Sequence, residues 1–348
     1  MHMADALISP AVGGAMWAAS AGLTAYSAKK LKQDLDEHRV PLMGVLGAFI
    51  FAAQMINFTI PGTGSSGHLA GGMLLAILLG PAAAFLVMAS VLTIQALFFG
   101  DGGLLALGCN IINMGGVACF IGYPLIYKKI VRHQPTPTRI LLGAMVASIL
   151  ALQMGAFGVV LETRFSGISE LPFSTFLLLM QPIHLAIGIV EGLITAAVVS
   201  FVWKAHPEIL IQTPSAAAAR VHCHKPLVLG LALFAVVTGG ALSWFASTHP
   251  DGLEWAIKGV TGKEELEAPT AGAHGVLGRI QEKFSFLPDY DFKKPEGDAG
   301  EKEAKKEEGW PHVSSGRSLA GILGAAMTLL LAGVIGFGLR RYSSHQKG

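Results

Sequence analysis

The polarity of this chain repeats on the length scale of a bilayer. Apolar runs, broken by charged residues or by glycine and proline, fall near residues 9–28, 40–58, 68–80, 82–99, 104–127, 139–162 and 174–203, with two more near 226–246 and 318–339. A helix needs about 20 apolar residues to cross a hydrocarbon core, and its backbone must hydrogen-bond within the span. The runs are continuous rather than alternating, which argues against a transmembrane barrel. The pattern predicts an all-α polytopic membrane protein with nine crossings. The third run is short for a straight crossing, and Gly80-Pro81 divides it from the fourth.

Basic residues orient the spans. Lys29, Lys30, Lys32 and Arg39 share alternate connections with Lys128, Lys129, Arg132 and Arg139, then Lys204, Arg220 and Lys225, then Arg340, Arg341 and Lys347. Such connections stay cytoplasmic, which places the N-terminus outside and the C-terminus inside a cell membrane, bacterial inner membrane being the expected site. A long polar loop, about 248–317, separates the last two spans; long translocated loops escape the positive-inside bias. The chain thus divides into a seven-helix body (1–205), a cytoplasmic linker (206–225) and a two-helix accessory unit (226–348) carrying an external loop.

Composition sharpens this picture. The 348 residues are 52% hydrophobic and 14% charged, against roughly 25% charged in a soluble domain. Between Val40 and Tyr127 one charged side chain occurs, Asp101. A net charge of +2, scattered along the chain, offers no concentrated basic face, so membrane lipid is an expected partner and nucleic acid is not. Cys109, Cys119 and Cys223 form no CxxC pair and suggest neither a disulfide framework nor a thiolate metal site. The start of the chain lacks the basic region and cleavage site of a signal peptide, so Met1 is expected to remain. No GxxxxGK[ST], HExxH or GxSxG occurs, so the chain reads as a binding or transport protein rather than an enzyme, with any ATP hydrolysis on separate subunits.

The strongest chemical signal is Met1-His2. A free amine, the next amide nitrogen and an imidazole close successive chelate rings on one ion, and nitrogen donors in a plane suit Ni(II) or Cu(II) rather than Mg(II) or Ca(II). His68, in the uncharged glycine-rich turn Pro61 to Gly72 and on the same predicted face as His2, is the candidate fourth donor. The plain alternative is an ordinary start residue and an interfacial or core histidine.

Met1-His2-x-x-Asp5 with Ile8-Ser9-Pro10, Gly64-Ser65-Ser66-Gly67-His68-Leu69 and Leu78-Leu79-Gly80-Pro81 together resemble the metal-binding component of energy-coupling-factor nickel/cobalt importers, the CbiM/NikM family. The resemblance spans nearly all of residues 1–210 and continues through Leu107 to Gly115 and His184 to Glu191. It implies a substrate-capture subunit whose N-terminal segment folds back into the helical body. The implied ligands are the Met1 amine, the His2 amide and imidazole, and the His68 imidazole. Met3-Ala4 and Ala6 depart from the family's usual Ile-Pro and Gly there, which bears on the loop backbone and not on ligand type. Pro250-Asp251-Gly252-Leu253-Glu254-Trp255-Ala256, with the later Phe286-Leu287-Pro288-Asp289-Tyr290, is similar to the small N component of the same importers, fused here. A plainer reading of Asp251-Gly252 and Glu254 is a turn opening a helix.

Several residues are candidates to support the metal. His184 and Glu191, seven apart on one helix face, are expected as a buried hydrogen-bonding pair. Asn110, Asn113 and Gln95 are expected to orient the pocket, or else to bridge helices. Asp5 is placed to offset metal charge or to cap the first helix. His222-Cys223-His224 offers donors without partners at metal-site spacing. Gly44, Ala48 and Ala52 form a small-residue stripe, suited to helix packing or, by the resemblance, to docking on a transmembrane coupling subunit.

The expectation is therefore the capture component of an ATP-driven Ni(II) importer working with coupling (T) and ATPase (A) subunits. Co(II) import for cobalamin synthesis is the alternative, and a membrane metal sensor or structural protein is the second.

Overall fold

The computed structural model describes residues 2–34, 39–132, 134–207, 225–293 and 310–345. Met1 and the His222-Cys223-His224 cluster lie outside them. The body comprises α1 (Pro10–Asp34), α2 (Arg39–Gln54), α3 (Gly72–Leu79), α4 (Pro81–Phe99), α5 (Leu107–Val131), α6 (Pro137–Ser166) and α7 (Phe173–Ala205). The C-terminal unit supplies α8 (Lys225–Gly240), α9 (Gly252–Thr261), α10 (Gly272–Phe284) and α11 (Ser315–His345).

Among the described residues, α4, α5, α6, α7 and Ser315–Arg341 of α11 are long and apolar enough to cross a membrane. Val40–Gln54 and Pro226–Gly240 are shorter apolar helices. By this measure the third run is not a crossing. α3 has eight residues, all buried, so it rises only about 12 Å. Gly80, at φ 82°, ends it, and Pro81 opens α4 at a position where its missing N–H costs nothing. α1 is long, but Lys29, Lys30, Lys32 and Asp34 crowd its last turns, and it falls outside that apolar set.

Among the described residues the one sheet is a hairpin absent from the sequence reading: β1 (Phe58–Ile60) runs antiparallel to β2 (Ser65–Gly67), with Phe58 opposite Gly67. It delivers the chain to His68. α3 then enters the centre of the body, pressed so close to α5 that a Cβ on Gly72 would lie 2.4 Å from the Met114 carbonyl. Three stretches are π-helical: Gln95–Phe99, Ile111–Gly116 and Ala118–Tyr127, the last containing Pro124. Widened turns of this kind shift side chains out of α-helical register and often accompany functional sites.

α6 packs along α7, and α2 is flanked by α8 and α11. Residues 250–293 of the external loop are folded despite their polarity. Asp251 opens α9 with a reciprocal cap, its Oδ1 accepting from the Leu253 and Glu254 amides while Glu254 accepts from the Asp251 amide. α9 rests on α7 and α10 on the end of α4. Main-chain bonds tie this loop to the body: the Ser66 amide donates to the Pro250 carbonyl (2.8 Å) and the Ser247 amide to the Asn57 carbonyl (2.7 Å).

Candidate metal centre

The N-terminal segment is drawn into the body by specific bonds. Met3 is fully buried. Its amide donates to Asn110 Oδ1 (2.8 Å), and Asn110 Nδ2 donates back to its carbonyl (3.2 Å). Asn110, expected to orient the pocket, thus fixes the residue beside His2. Asp5 caps α5 rather than the first helix: its Oδ1 accepts the Ala106 amide at 3.0 Å. Burial raises its carboxyl above the ordinary value, against the Ala106 bond.

His2 and His68 meet. Their rings stack at 5.1 Å between centroids and 14° between planes. His68 Nδ1 lies 3.2 Å from the Leu69 carbonyl. A carbonyl only accepts, so Nδ1 carries the proton and Nε2 keeps its lone pair. The turn that holds His68 is fastened from α7, where the Glu191 carboxylate accepts the amides of Ala70 (3.0 Å) and Gly71 (3.2 Å). Burial pushes both imidazoles down to about 3, so both are neutral at neutral pH.

Two residues that the sequence reading assigned no role in the site extend it, Asp101 against His2 and Tyr290 against Asp101. Asp101 Oδ1 is 3.2 Å from His2 Nδ1. The Tyr290 hydroxyl donates to Asp101 Oδ2. Tyr290 stacks on Phe99 at 5.1 Å, so the C-terminal unit reaches His2 through one intervening carboxylate. Burial, the largest cause, raises the Asp101 carboxyl, and burial followed by the Asp101 charge raises the Tyr290 hydroxyl. A cavity of about 350 Å³ opens beside His2, and Asp101, Asp251, Glu254, Glu264, Glu265 and Asp289 line it. A larger cavity, about 820 Å³, lies elsewhere, in an apolar lining of α2, α7 and α8.

Of the remaining candidates, Gln95 lies within hydrogen-bonding reach of the His2 imidazole and His184 lines a small void with His68. His184 and Glu191 share a helix face but do not pair: His184 Nδ1 bonds the Met180 carbonyl (2.8 Å), while Glu191 serves the His68 turn. Asn113 donates to Glu162 (2.8 Å), a buried carboxylate of α6 that the sequence reading passed over. Gln95 donates to Gln54 (2.8 Å). The small-residue stripe is an internal seam, not an open docking face. Ala48 and Ala52 are buried, and a Cβ on Gly44 would lie 3.0 Å from the Leu329 carbonyl of α11. Among the described residues no three His, Cys, Asp or Glu side chains converge on one point as a metal cluster. The side-chain donors of the centre are two imidazoles, so any fuller nitrogen set requires backbone.

Known proteins share this architecture. The family model described as cobalt uptake substrate-specific transmembrane region, CbiM, matches residues 2–209, and the PDGLE domain model matches residues 225–341. A fused nickel transport protein, NikMN, of Rhodobacter capsulatus is 31% identical over 83% of this chain and 88% of its own. A cobalt transport protein, CbiM, of Geobacter sulfurreducens is 29% identical over 61% of this chain and 61% of its own. Among solved structures, a truncated transition metal transporter superposes with a TM-score of 0.53 at 32% identity, covering 59% of this chain and all of that one.

Proposed function

This chain belongs to the CbiM family, continued here by a PDGLE domain, and from that premise we propose that it is the substrate-capture component of an ATP-driven energy-coupling-factor importer of transition-metal ions, Ni(II) foremost. The observation that carries the reading is the buried stack of His2 on His68 beside the start of the chain. Nickel and cobalt transport by its relatives supports the substrate class.

In this reading the ion takes four nitrogens: the Met1 amine, the His2 amide, His2 Nδ1 and His68 Nε2. Nδ1 is the ring atom that closes a six-membered chelate with the residue's own amide nitrogen. On binding it therefore exchanges Asp101 for the metal. A planar nitrogen field favours Ni(II), and the family's description as a cobalt uptake region keeps Co(II) as the second reading. The carboxylate-lined cavity beside His2 concentrates dications at the entrance. With no phosphate-cradling motif in the sequence, energy comes from separate ATPase subunits acting through a transmembrane coupling subunit. The metal enters from outside, where the positive-inside pattern puts the N-terminus.

The test adds residues before Met1, which keeps every side chain but moves the amine. We expect the extended chain to lose Ni(II) binding and the square-planar absorption of the native protein. Unchanged binding removes His2 and His68 from these roles.

A further inference from the structure

α10 (Gly272–Phe284) turns two different faces outward and inward. The inner face docks on the body: His274 Nε2 meets the Ile8 carbonyl at 2.9 Å, and Gln281 Nε2 donates to the carbonyls of Ala96 (2.8 Å) and Gly102 (2.7 Å). Val276, Ile280 and Phe284 follow one another at four-residue steps, which stacks them in a separate row on the helix. They are 49%, 39% and 47% exposed, so the row is left largely uncovered by the protein. Arg279 and Lys283 are exposed beside it. Single apolar side chains on a surface are ordinary, whereas a contiguous apolar row marks a contact with something else.

The depth of the helix says what covers that row. Ala96, which Gln281 grips, lies in the last turn of α4, a helix long and apolar enough to cross the membrane. Just beyond α10, Phe286 packs on Phe98 and Phe99, with ring centroids 5.8 and 5.9 Å apart. Further on, Phe292 reaches the start of the α11 span, where a Cβ on Gly316 would stand 3.1 Å from its ring. The segment is therefore pinned at the level where two spans meet the membrane surface. Phe245 and Trp310, at the loop ends of α8 and α11, are exposed and in edge contact at 5.3 Å, as aromatic side chains at a membrane boundary are.

We propose that α10 is an interfacial helix: Val276, Ile280 and Phe284 sink into the lipid leaflet on the side of the external loop, while Arg279 and Lys283 pair with lipid phosphates. A helix of this kind lies in the plane of the membrane with its apolar face about 5–10 Å into the boundary between headgroups and acyl chains, its basic side chains beside that face. Anionic lipid strengthens the hold of the two cations. Lipid contact explains why an otherwise polar loop spends three large apolar side chains on one outward row. It also reaches the metal centre, because His274, Gly278 and Gln281 line the cavity beside His2. That wall is held by the body on one face of α10 and by lipid on another.

The experiment places the full-length chain in bilayer discs of phosphatidylethanolamine and phosphatidylglycerol, with Cys223→Ser so that a fluorophore reaches only an introduced cysteine; Cys109 and Cys119 are buried. Ile280→Cys carries the probe on the apolar row and Glu282→Cys carries it on another side of the helix. Lipids bearing a nitroxide high on the acyl chain should quench the Ile280 probe, and aqueous iodide should leave it bright. The Glu282 probe should behave in the opposite way. Val276→Cys and Phe284→Cys repeat the reading, so a label that disturbs packing at one position does not decide it. Arg279→Gln combined with Lys283→Gln should lower the lipid quenching and admit iodide, and unchanged quenching overturns the phosphate contacts. The proposal fails if iodide reaches the row as readily as it reaches the Glu282 probe. It fails equally if neither quencher reaches the row, since a second copy or another protein then covers it.

Discussion

Asp101 is the sole charge between Val40 and Tyr127, and its neighbours account for it. One oxygen faces His2 Nδ1 and the other accepts from Tyr290. In the proposed site the ion takes the same Nδ1, so Asp101 orients the ring before binding and must give the nitrogen up when the ion arrives. Tyr290→Phe removes the hydroxyl and leaves the stack on Phe99. Without that hydrogen bond the Asp101 carboxylate competes harder for Nδ1, so we expect weaker Ni(II) binding in a competition titration with thermal stability nearly unchanged; equal affinity means that Tyr290 is only a packing residue. His2 and His68 were legible in the sequence because their chemistry is local: a residue type, a position and a glycine-rich turn. The Asp101–Tyr290 contact was not, since its partners are 189 residues apart and a lone aspartate does not name the group that will meet it. The same holds for Glu162, whose place at the end of an apolar run gives no hint of Asn113.

The depressed imidazoles set a proton count. Both titrate near 3 in the folded chain because burial disfavours their charged forms. Near pH 7 they have no protons to lose, so if the ion takes the proposed four nitrogens, its binding displaces about two protons, one from the amine, whose ordinary value is about 8, and one from the amide. Affinity therefore falls as pH falls. Calorimetry in buffers of different ionisation enthalpy reads the number directly, and a release of about four would contradict neutral imidazoles. The sign for folding follows as well. Unfolded histidines take up protons below about 6.5, so the stability held by keeping these two neutral is complete above that pH and is lost on acidification toward 3.

At the scale of elements, the informative piece is α3. Eight residues cannot cross a bilayer, yet the turn before this helix carries His68 and is bonded to α7 through Glu191. Replacing Glu191 with Leu orphans two buried amides, at about 1–3 kcal/mol each. A lowered thermal midpoint and weaker metal binding should appear together, and Glu191→Gln, which keeps one acceptor oxygen, should recover part of both. If stability falls while affinity holds, the turn does not depend on this carboxylate to present His68. Apolar run length located the long helices, because lipid imposes it. It could not separate α3 from a crossing, since a buried short helix and a lipid-facing one share composition. Nor did it reveal α10 in the polar loop, whose order comes from contacts to the body such as Gln281 Nε2 with the Ala96 and Gly102 carbonyls (2.8 and 2.7 Å).

Across the whole molecule, the two units are held by more than their connection. α11 lies along α2, and the external loop is bonded to the hairpin and to the N-terminal segment, where His274 Nε2 meets the Ile8 carbonyl at 2.9 Å. A protease site introduced between residues 208 and 224 should therefore yield halves that co-purify and still bind Ni(II) as one body. Separation of the halves in mild detergent would show that the linker, rather than the seam, keeps them together. Motifs in the sequence identified two components in one chain. The way the second closes over the first was outside their reach, because it resides in main-chain bonds such as Ser66 to Pro250, which any residue can make.

That closure imposes an order in time. The tyrosine that braces His2 through Asp101 is translated 288 positions after it. At about 5–20 residues per second, the wait is on the order of 15–60 seconds. Throughout that interval the N-terminal segment lacks the contacts that the C-terminal unit supplies, among them Tyr290 on Asp101 and His274 on Ile8. The enclosure of His2 is thus a property of the completed chain: a protein truncated before α10 carries His2 and His68 without the loop that closes over them.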